Sequence, residues 1–470
     1  MIRKLISIYM AALFLLAPLG AQLSSGLTVS EEEKLSRSIL NYIYSHYEII
    51  DDPVIAGYVN QVGNRIVSAI EDPIFDYQFH VINVDTYNAF AIPAGYVFIH
   101  SGLIAAMDNE DELAGILAHE IAHVNARHIS QKIERSKKIG WATLAGVAAG
   151  VLIGVAGGAE AGQAVTQGSQ AAGAAAELSY SRDNEIQADQ LGLIYLNDAG
   201  YDGAGLLKIL KKMRSKQWFS TEQIPTYMRT HPAIDERITY LDSQLNSSPE
   251  DTKKWSQVDA GEFSRAHTYL ITQYGDEKLV LKYLEAQVKQ HPEDPMAHYR
   301  YGLILARVNR RAEAIEQIRT ALQKRAFDPY MLRDVGRVYY LDGQFEQSLK
   351  MLKTARNMIP DDADCSLYLG QTYMAMGQYD EASSVLQGVV EKHPDYTKAY
   401  YVLGQSLGKQ GNLADAYYYL GVYHTRKRDL KTAIVQYRQA LKYTKDAERR
   451  ATIEKRLKKF EKMMAKQRKG

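Results

Sequence analysis

Cysteine is almost absent from this chain. The only one, Cys365 in 470 residues, can form no internal disulfide, and its position rules out a lipidated amino-terminal cysteine. An oxidising compartment is therefore tolerated but not exploited. Net charge is missing too, since 56 Lys/Arg against 55 Asp/Glu leave +1. That balance hides an asymmetry: residues 442–470 hold 12 Lys/Arg and 4 Asp/Glu, a net of +8, so everything before them sums to −7. No nucleic-acid readout motif accompanies the basic tail, which leaves a nucleic-acid role without support. At 46% hydrophobic and 24% charged residues the composition excludes wholesale disorder and a polytopic membrane protein. A chain of this length exceeds one hydrophobic core and predicts two or three folded units.

The first residues read as a leader. Arg3 and Lys4 precede an uncharged apolar run from Leu5 to Leu16, and small residues end at Leu19-Gly20-Ala21. This predicts a signal peptide over 1–21 and export to the periplasm, an uncleaved anchor being the other reading; the run is short for a membrane span. From Ser30 to Ile70 apolar residues recur at helical spacing, as in Leu35, Ile39 and Ile43. The period then changes: residues 77–83 and 95–99 read as strands, and a helix is expected over 111–137. Residues 141–176 are rich in Gly and Ala. They read as packed helices, buried or touching a membrane beside the active site, in preference to a transmembrane helix.

Beyond residue 255 a period takes over. Gly302, Gly336, Gly370 and Gly404 recur every 34 residues, the length of a tetratricopeptide repeat (TPR). Twelve residues after each glycine stand Ala314, Ser348, Ala382 and Ala416, and sixteen after stand Ile318, Leu352, Leu386 and Leu420. Small residues let paired helices approach, and stacking buries faces that a single repeat cannot. Gly421, Ala433 and Tyr437 add a unit shifted by half a period. A basic helix with Ile453, Leu457, Phe460 and Met464 on one face follows, suited to capping the stack. Tyrosines 400, 401, 417–419 and 423 read as repeat core or as a partner surface. The expected fold is mainly α (α+β): a helical domain with a small sheet over 22–255, an α-solenoid of TPRs over 256–445, and a carboxy-terminal helix over 446–470.

The chemistry sits in His119-Glu120-Ile121-Ala122-His123. Four residues are about one helical turn, so both imidazoles leave one face of the helix. Neutral imidazole nitrogen suits zinc, and Glu120 can take a proton from a water that the ion has acidified. In Glu185-Ile186-Gln187-Ala188-Asp189, one turn again separates two carboxylates. Glu185 is the candidate third ligand of one Zn2+ per chain. Asp189 is placed to accept the free ring N–H of a ligand histidine, and Ala188 leaves room for close helix approach. His128 follows His123 by five residues where the metzincin spacing needs six, and Ala126 stands in place of that pattern's glycine. It therefore reads as a surface or structural histidine.

These segments together resemble the gluzincin peptidases that include HtpX, Oma and the CAAX prenyl proteases. The matching stretches are Asn88-Ala89-Phe90, Gly95-Tyr96-Val97-Phe98-Ile99, the helix around His119, Ser181 through Asp189, and Thr230-His231-Pro232 with Arg237. The resemblance implies a helical zincin domain acting as a zinc metalloendopeptidase. It also implies that Gly95–Ile99 is an edge strand that pairs with extended substrate. His231 matches the family's downstream histidine, either stabilising the transition state or closing the zinc site as a latch. Arg237 reads as an anchor for that loop or as a solvated side chain. With the leader and the array added, the implied substrates are envelope polypeptides, misassembled outer-membrane proteins among them. The TPRs would bind these or outer-membrane and secretion assembly components, and peripheral membrane contact is the further partner expected. The alternative is a chaperone-like TPR binding module whose proteolysis is latched; a binding phenotype that survives Glu120→Gln separates the two.

Overall fold

A computed structural model describes residues 27–135, 180–219, 226–247 and 260–467. The leader and the Gly/Ala segment 141–176 lie outside them. Two compact units divide at His267/Thr268.

The first unit opens with α1 (Val29–His46), whose amino terminus closes in a capping box between Thr28 and Glu31. Next come β1 (Ile49–Ile50) and α2 (Pro53–Val67), which starts on an Asp52 cap with proline in its first turn. Strands β2 (Gln78–Ile82), β3 (Ala89–Ile92) and β4 (Tyr96–His100) complete a four-stranded sheet of order β1-β2-β4-β3. The β3–β4 turn needs left-handed backbone at Ala94 (φ 64°) and Gly95 (φ 87°), and a Cβ on Gly95 would lie 2.7 Å from the Asp76 carbonyl oxygen.

The sheet corrects one expectation. The strand around Gly95–Ile99 is not an edge: β4 pairs in parallel with β2 from Gln78↔Tyr96 to Ile82↔His100, and antiparallel with β3 from Ala89↔Ile99 to Ile92↔Tyr96. Both rows of its backbone groups are spent inside the sheet, so it has none to offer a peptide. The outer positions belong to β1 and β3.

Helix α3 (Ser101–Ala105) leads to α4 (Glu110–Asn125), capped by the Asn109 side chain. The expected helix over 111–137 breaks after Asn125. Arg127 turns into the left-handed region (φ 55°), held by a bond from its Nε to Glu32 at 2.8 Å, and α5 (His128–Arg135) starts in a new direction. The unit continues with α6 (Arg182–Ala199), α7 (Ala204–Phe219), α8 (Thr226–Thr230) and α9 (Ile234–Ser247). Almost every residue of α4 is buried, because helices and sheet surround it. A Cβ on Gly115 would come within 2.6 Å of Leu206 in α7, and one on Gly192 of α6 within 3.4 Å of the His119 backbone. Glycine at these points sets how closely α4 is gripped.

The second unit is a stack of helix pairs. They are α12 (Pro295–Arg307) with α13 (Arg311–Lys324), α14 (Pro329–Leu341) with α15 (Phe345–Met358), α16 (Ala363–Ala375) with α17 (Tyr379–Lys392), and α18 (Thr397–Lys409) with α19 (Leu413–Arg426). Helices α10 (Ala260–Tyr274) and α11 (Glu277–Gln290) precede them; α20 (Leu430–Tyr443) and α21 (Ala447–Gln467) follow. The 34-residue period has a direct steric cause. A Cβ on Gly302, Gly336, Gly370 or Gly404 would sit 2.5–2.9 Å from the side chain sixteen residues on: Ile318, Leu352, Leu386 or Leu420. Gly421 meets Tyr437 in the same way at 2.8 Å, so α19 serves as the second helix of one pair and the first of the next. Ile453, Leu457 and Phe460 of α21 are buried in one apolar cluster with Ile434 and Tyr437, which caps that end of the stack.

Candidate metal centre

Two helix faces and one loop meet at the centre. Helix α4 presents His119 and His123 one turn apart, with Nε2 atoms 3.0 Å from each other. Helix α6 begins on a Ser181–Asn184 capping box and presents Glu185 one turn into the helix, its carboxylate 3.5 Å from His119 Nε2 and 3.4 Å from His123 Nε2. His231 comes from the loop after α8, where Ala233 (φ 64°) turns the chain into α9. Its Nδ1 lies 3.2 Å from Glu185 Oε1 and 3.3 Å from His119 Nε2, and its Nε2 is 3.5 Å from Glu120. One donor atom from each of His119, His123, Glu185 and His231 lies within 4.8 Å of the others.

The surroundings fix these groups. His119 Nδ1 is 2.9 Å from Asp189 Oδ1, and Arg237 grips both Asp189 oxygens at 2.7 and 2.8 Å. The Arg237 Nη1 also lies 2.7 Å from Glu185. Of the two readings for Arg237, the anchored one holds and the solvated one does not, since it is 1% exposed. Two tyrosine rings complete the packing: Tyr180 stacks on His123 at 3.7 Å and Tyr227 on His231 at 4.2 Å. His119, Glu120, His123, Glu185, Asp189 and His231 are all at most 1% exposed.

Electrostatics argue for a cation here. With the imidazoles neutral, as metal ligands must be, three buried carboxylates face one guanidinium, a formal surplus of two negative charges that a divalent ion would match. Among the described residues, both Glu120 oxygens and His231 Nε2 are buried without hydrogen-bond partners, an arrangement that costs free energy unless something else satisfies them. Burial pushes the Glu120 carboxyl up from its ordinary value, against the pull of His231 and His119. Burial pushes His123 well down, so its imidazole is neutral and its lone pair free. His119 is pushed down by burial and by Arg237, but hydrogen bonds to Asp189 and Glu185 outweigh them and hold it at about 9 without metal. Glu185 resists the upward push of burial because His231 and Arg237 hold it well below the carboxylate range. Two imidazoles and a carboxylate in this setting fit a metal ion of the zinc kind.

Of the two readings for His128, surface or structural, the structural one holds: it is buried, with Nδ1 2.9 Å from His123 Nδ1 and Nε2 3.0 Å from Gln187 Oε1. Sequence reasoning missed two contributors. Tyr180, next to the Ser181 cap, and Tyr227, four residues before His231, carried no signal beyond their proximity to the motifs.

The comparisons fall in line with this geometry. Residues 53–245 match peptidase family M48, and residues 281–329 and 339–406 match tetratricopeptide repeat families. Residues 53–245 thus form a domain similar to the M48 peptidases, and TPRs follow it in the chain. Among relatives, the beta-barrel assembly-enhancing protease of Yersinia pestis is 27% identical over 343 residues, covering 73% of this chain and 68% of its own. A Vibrio cholerae counterpart is 32% identical over 224 residues, 48% of this chain; the chain spans less than half of that relative, 46%. The mitochondrial metalloendopeptidase OMA1 of Schizosaccharomyces pombe is 29% identical over 188 residues, covering 40% of this chain and 52% of its own. The solved structure of MamA is 17% identical at a TM-score of 0.30, covering 37% of this chain and 98% of its own.

Proposed function

We propose that this protein is an exported, zinc-dependent endopeptidase of envelope polypeptides, in which His119, His123 and Glu185 hold the metal and Glu120 moves the proton. The observation that carries this reading is the convergence of three buried ligands on one point, with the Glu120 carboxylate beside them and without a hydrogen-bond partner among the described residues. Bound there, zinc supplies Lewis-acid activation of water and of the scissile carbonyl. Glu120 takes the proton of the attacking water and passes it to the leaving amine, a task favoured by its raised pKa. Asp189, itself gripped by Arg237, holds the Nδ1–H of His119 and so leaves its Nε2 as the nitrogen that would hold a metal.

His231 is the latch of the resting enzyme. Its Nδ1 stands among the ligand atoms, and Tyr227 stacked on its ring helps close the centre to solvent. Release of the loop that carries it would take the His231 imidazole out of the ligand set. The repeat array, taken to begin near residue 256, selects polypeptides or assembly partners; misassembled outer-membrane proteins are the proposed substrate class, and the relatives are named for enhancing beta-barrel assembly. No helix among the described residues is long and apolar enough to cross a membrane, and residues 1–21 are assigned to a signal peptide that directs the chain to the periplasm.

The test is a pair of variants assayed for metal and for cleavage of an unfolded outer-membrane protein. Glu120→Gln should keep one zinc per chain and lose hydrolysis; loss of zinc instead would make Glu120 a ligand and defeat the assignment. His231→Ala should raise cleavage, whereas lowered cleavage with unchanged zinc would make His231 a transition-state stabiliser.

A further inference from the structure

The two histidines of α4 are held by different partners, and the second partner is unassigned. His119 donates Nδ1–H to Asp189, a carboxylate that can only accept. Among the described residues no carboxylate bonds to Nδ1 of His123. Its Nδ1 instead faces His128 Nδ1 at 2.9 Å, and His128 Nε2 faces the Gln187 side-chain oxygen at 3.0 Å.

The fold is bent to make this contact. On a continuous helix His128, five residues after His123, would point about 140° away from it. The left-handed residue Arg127 ends α4 and restarts the chain as α5, so that the His128 ring returns to 5.0 Å from the His123 ring and is buried. Arg127 carries a Cβ, and a non-glycine residue in this region is uncommon. Its guanidinium, bonded to Glu32 and to the Leu27 carbonyl oxygen, holds the turn.

We infer that His128 is a positioning residue which, through Gln187, fixes the tautomer of His123 and aims its Nε2 lone pair at the metal. The argument is a count of hydrogens. An amide oxygen only accepts, so His128 Nε2 must carry the proton that it donates to Gln187. Neutral His128 then has a bare Nδ1, which only accepts, so the proton between the two rings belongs to His123 Nδ1. His123 Nε2 is left unprotonated, pointing at His119 Nε2 and Glu185. Tyr180 stacked on the His123 ring sets its plane, and the relay sets its protonation. Were the Gln187 amide reversed, every donor would become an acceptor and His123 Nε2 would carry a proton that blocks ligation. Gln187, on α6 between Glu185 and Asp189, thereby ties the second imidazole to the same helix that ties the first.

The inference rests on the ligand set proposed above, and the experiment separates the two. Zinc affinity of the full chain is measured by chelator competition, and the histidine tautomers of the zinc-loaded chain are read from long-range 1H–15N spectra. His128→Leu should weaken zinc binding about 10- to 100-fold, the usual effect of losing an outer partner of a ligand. His128→Asn, whose side-chain oxygen lies near the position of imidazole Nδ1, should recover most of it. The spectra should show His123 protonated at Nδ1. His128→Leu binding as tightly as wild type, His128→Asn as weak as His128→Leu, or His123 coordinated through Nδ1 would each overturn the relay while leaving the ligand set standing. Should His128→Leu not fold, Gln187→Leu at the exposed end of the relay decides: weaker zinc binding supports it, and unchanged affinity with an unchanged spectrum refutes it. A wild-type chain whose zinc binding ignores His119 and His123 would sink the ligand set, and the relay with it.

Discussion

Arg237 shows how much a single side chain can do here, since it neutralises Asp189 and Glu185 from within a region that water does not reach. Removing one partner of a buried ionic group leaves the other charges uncompensated, which typically costs about 3–5 kcal/mol. Arg237→Met should therefore lower the urea midpoint of the metal-free chain sharply. It should do so less in the zinc-loaded chain, where the ion takes over part of the neutralisation. A second residue gives a pH signature away from the metal. His100 is fully buried, its Nδ1 2.8 Å from Thr86 Oγ1, and burial lowers its pKa to about 4. The unfolded chain would titrate near 6.5, so the stabilisation is complete above that pH and is lost as pH falls from about 6.5 to 4. Going from pH 7 to pH 5 should cost about 2 kcal/mol through His100 alone. Denaturant titration of His100→Asn should show that share of the slope removed; an unchanged slope would contradict it. The spacing of His119, His123, Glu185 and Asp189 was legible in the sequence because one helical turn is a local rule. The contact of His128 with His123 was not legible, because nothing local announces that Arg127 adopts positive φ; the contacts of its guanidinium with residues 27 and 32 hold it there.

Between residues and domains, the strands taught the opposite lesson from the repeats. The alternation over 77–83 and 95–99 located β2 and β4 within a residue or two, but which strand lies outermost depends on pairing between distant segments. The parallel β2–β4 ladder and the β3 hairpin together enclose the strand that the resemblance had put at the rim. The repeat array was legible because its cause is local and recurs. Each glycine contacts the residue sixteen places on, and positive-φ positions end the first helix of each pair at Asn309, Gly343, Gly377 and Gly411, again 34 residues apart. Gly370→Ala would push a methyl group to 2.7 Å from Leu386 Cγ. Overpacking of this kind costs about 1–3 kcal/mol, and thermal unfolding should show it. Gly388→Ala in the partner helix α17, where nothing lies within 4 Å of the added carbon, should leave the midpoint unchanged or raise it.

At the scale of the whole chain, the division at His267/Thr268 puts the entire candidate metal centre in the first unit. A chain truncated after residue 267 should still bind one zinc with the affinity of the full protein. It should lose binding to the polypeptides proposed above as partners of the array. Chelator competition on the truncated chain checks the first point, and a tenfold loss of affinity would show that the centre needs the array to assemble.

The glycine and the large side chain sixteen residues later belong to the same helix pair, not to neighbouring pairs, so each 34-residue unit carries both halves of its own internal seam. Loss or duplication of one whole unit in frame leaves every remaining glycine facing its own leucine or isoleucine. Loss of half a unit orphans one of each. The reach of the array is thus a quantity that descent can change in whole steps of one repeat, without renegotiating the packing of the units that remain.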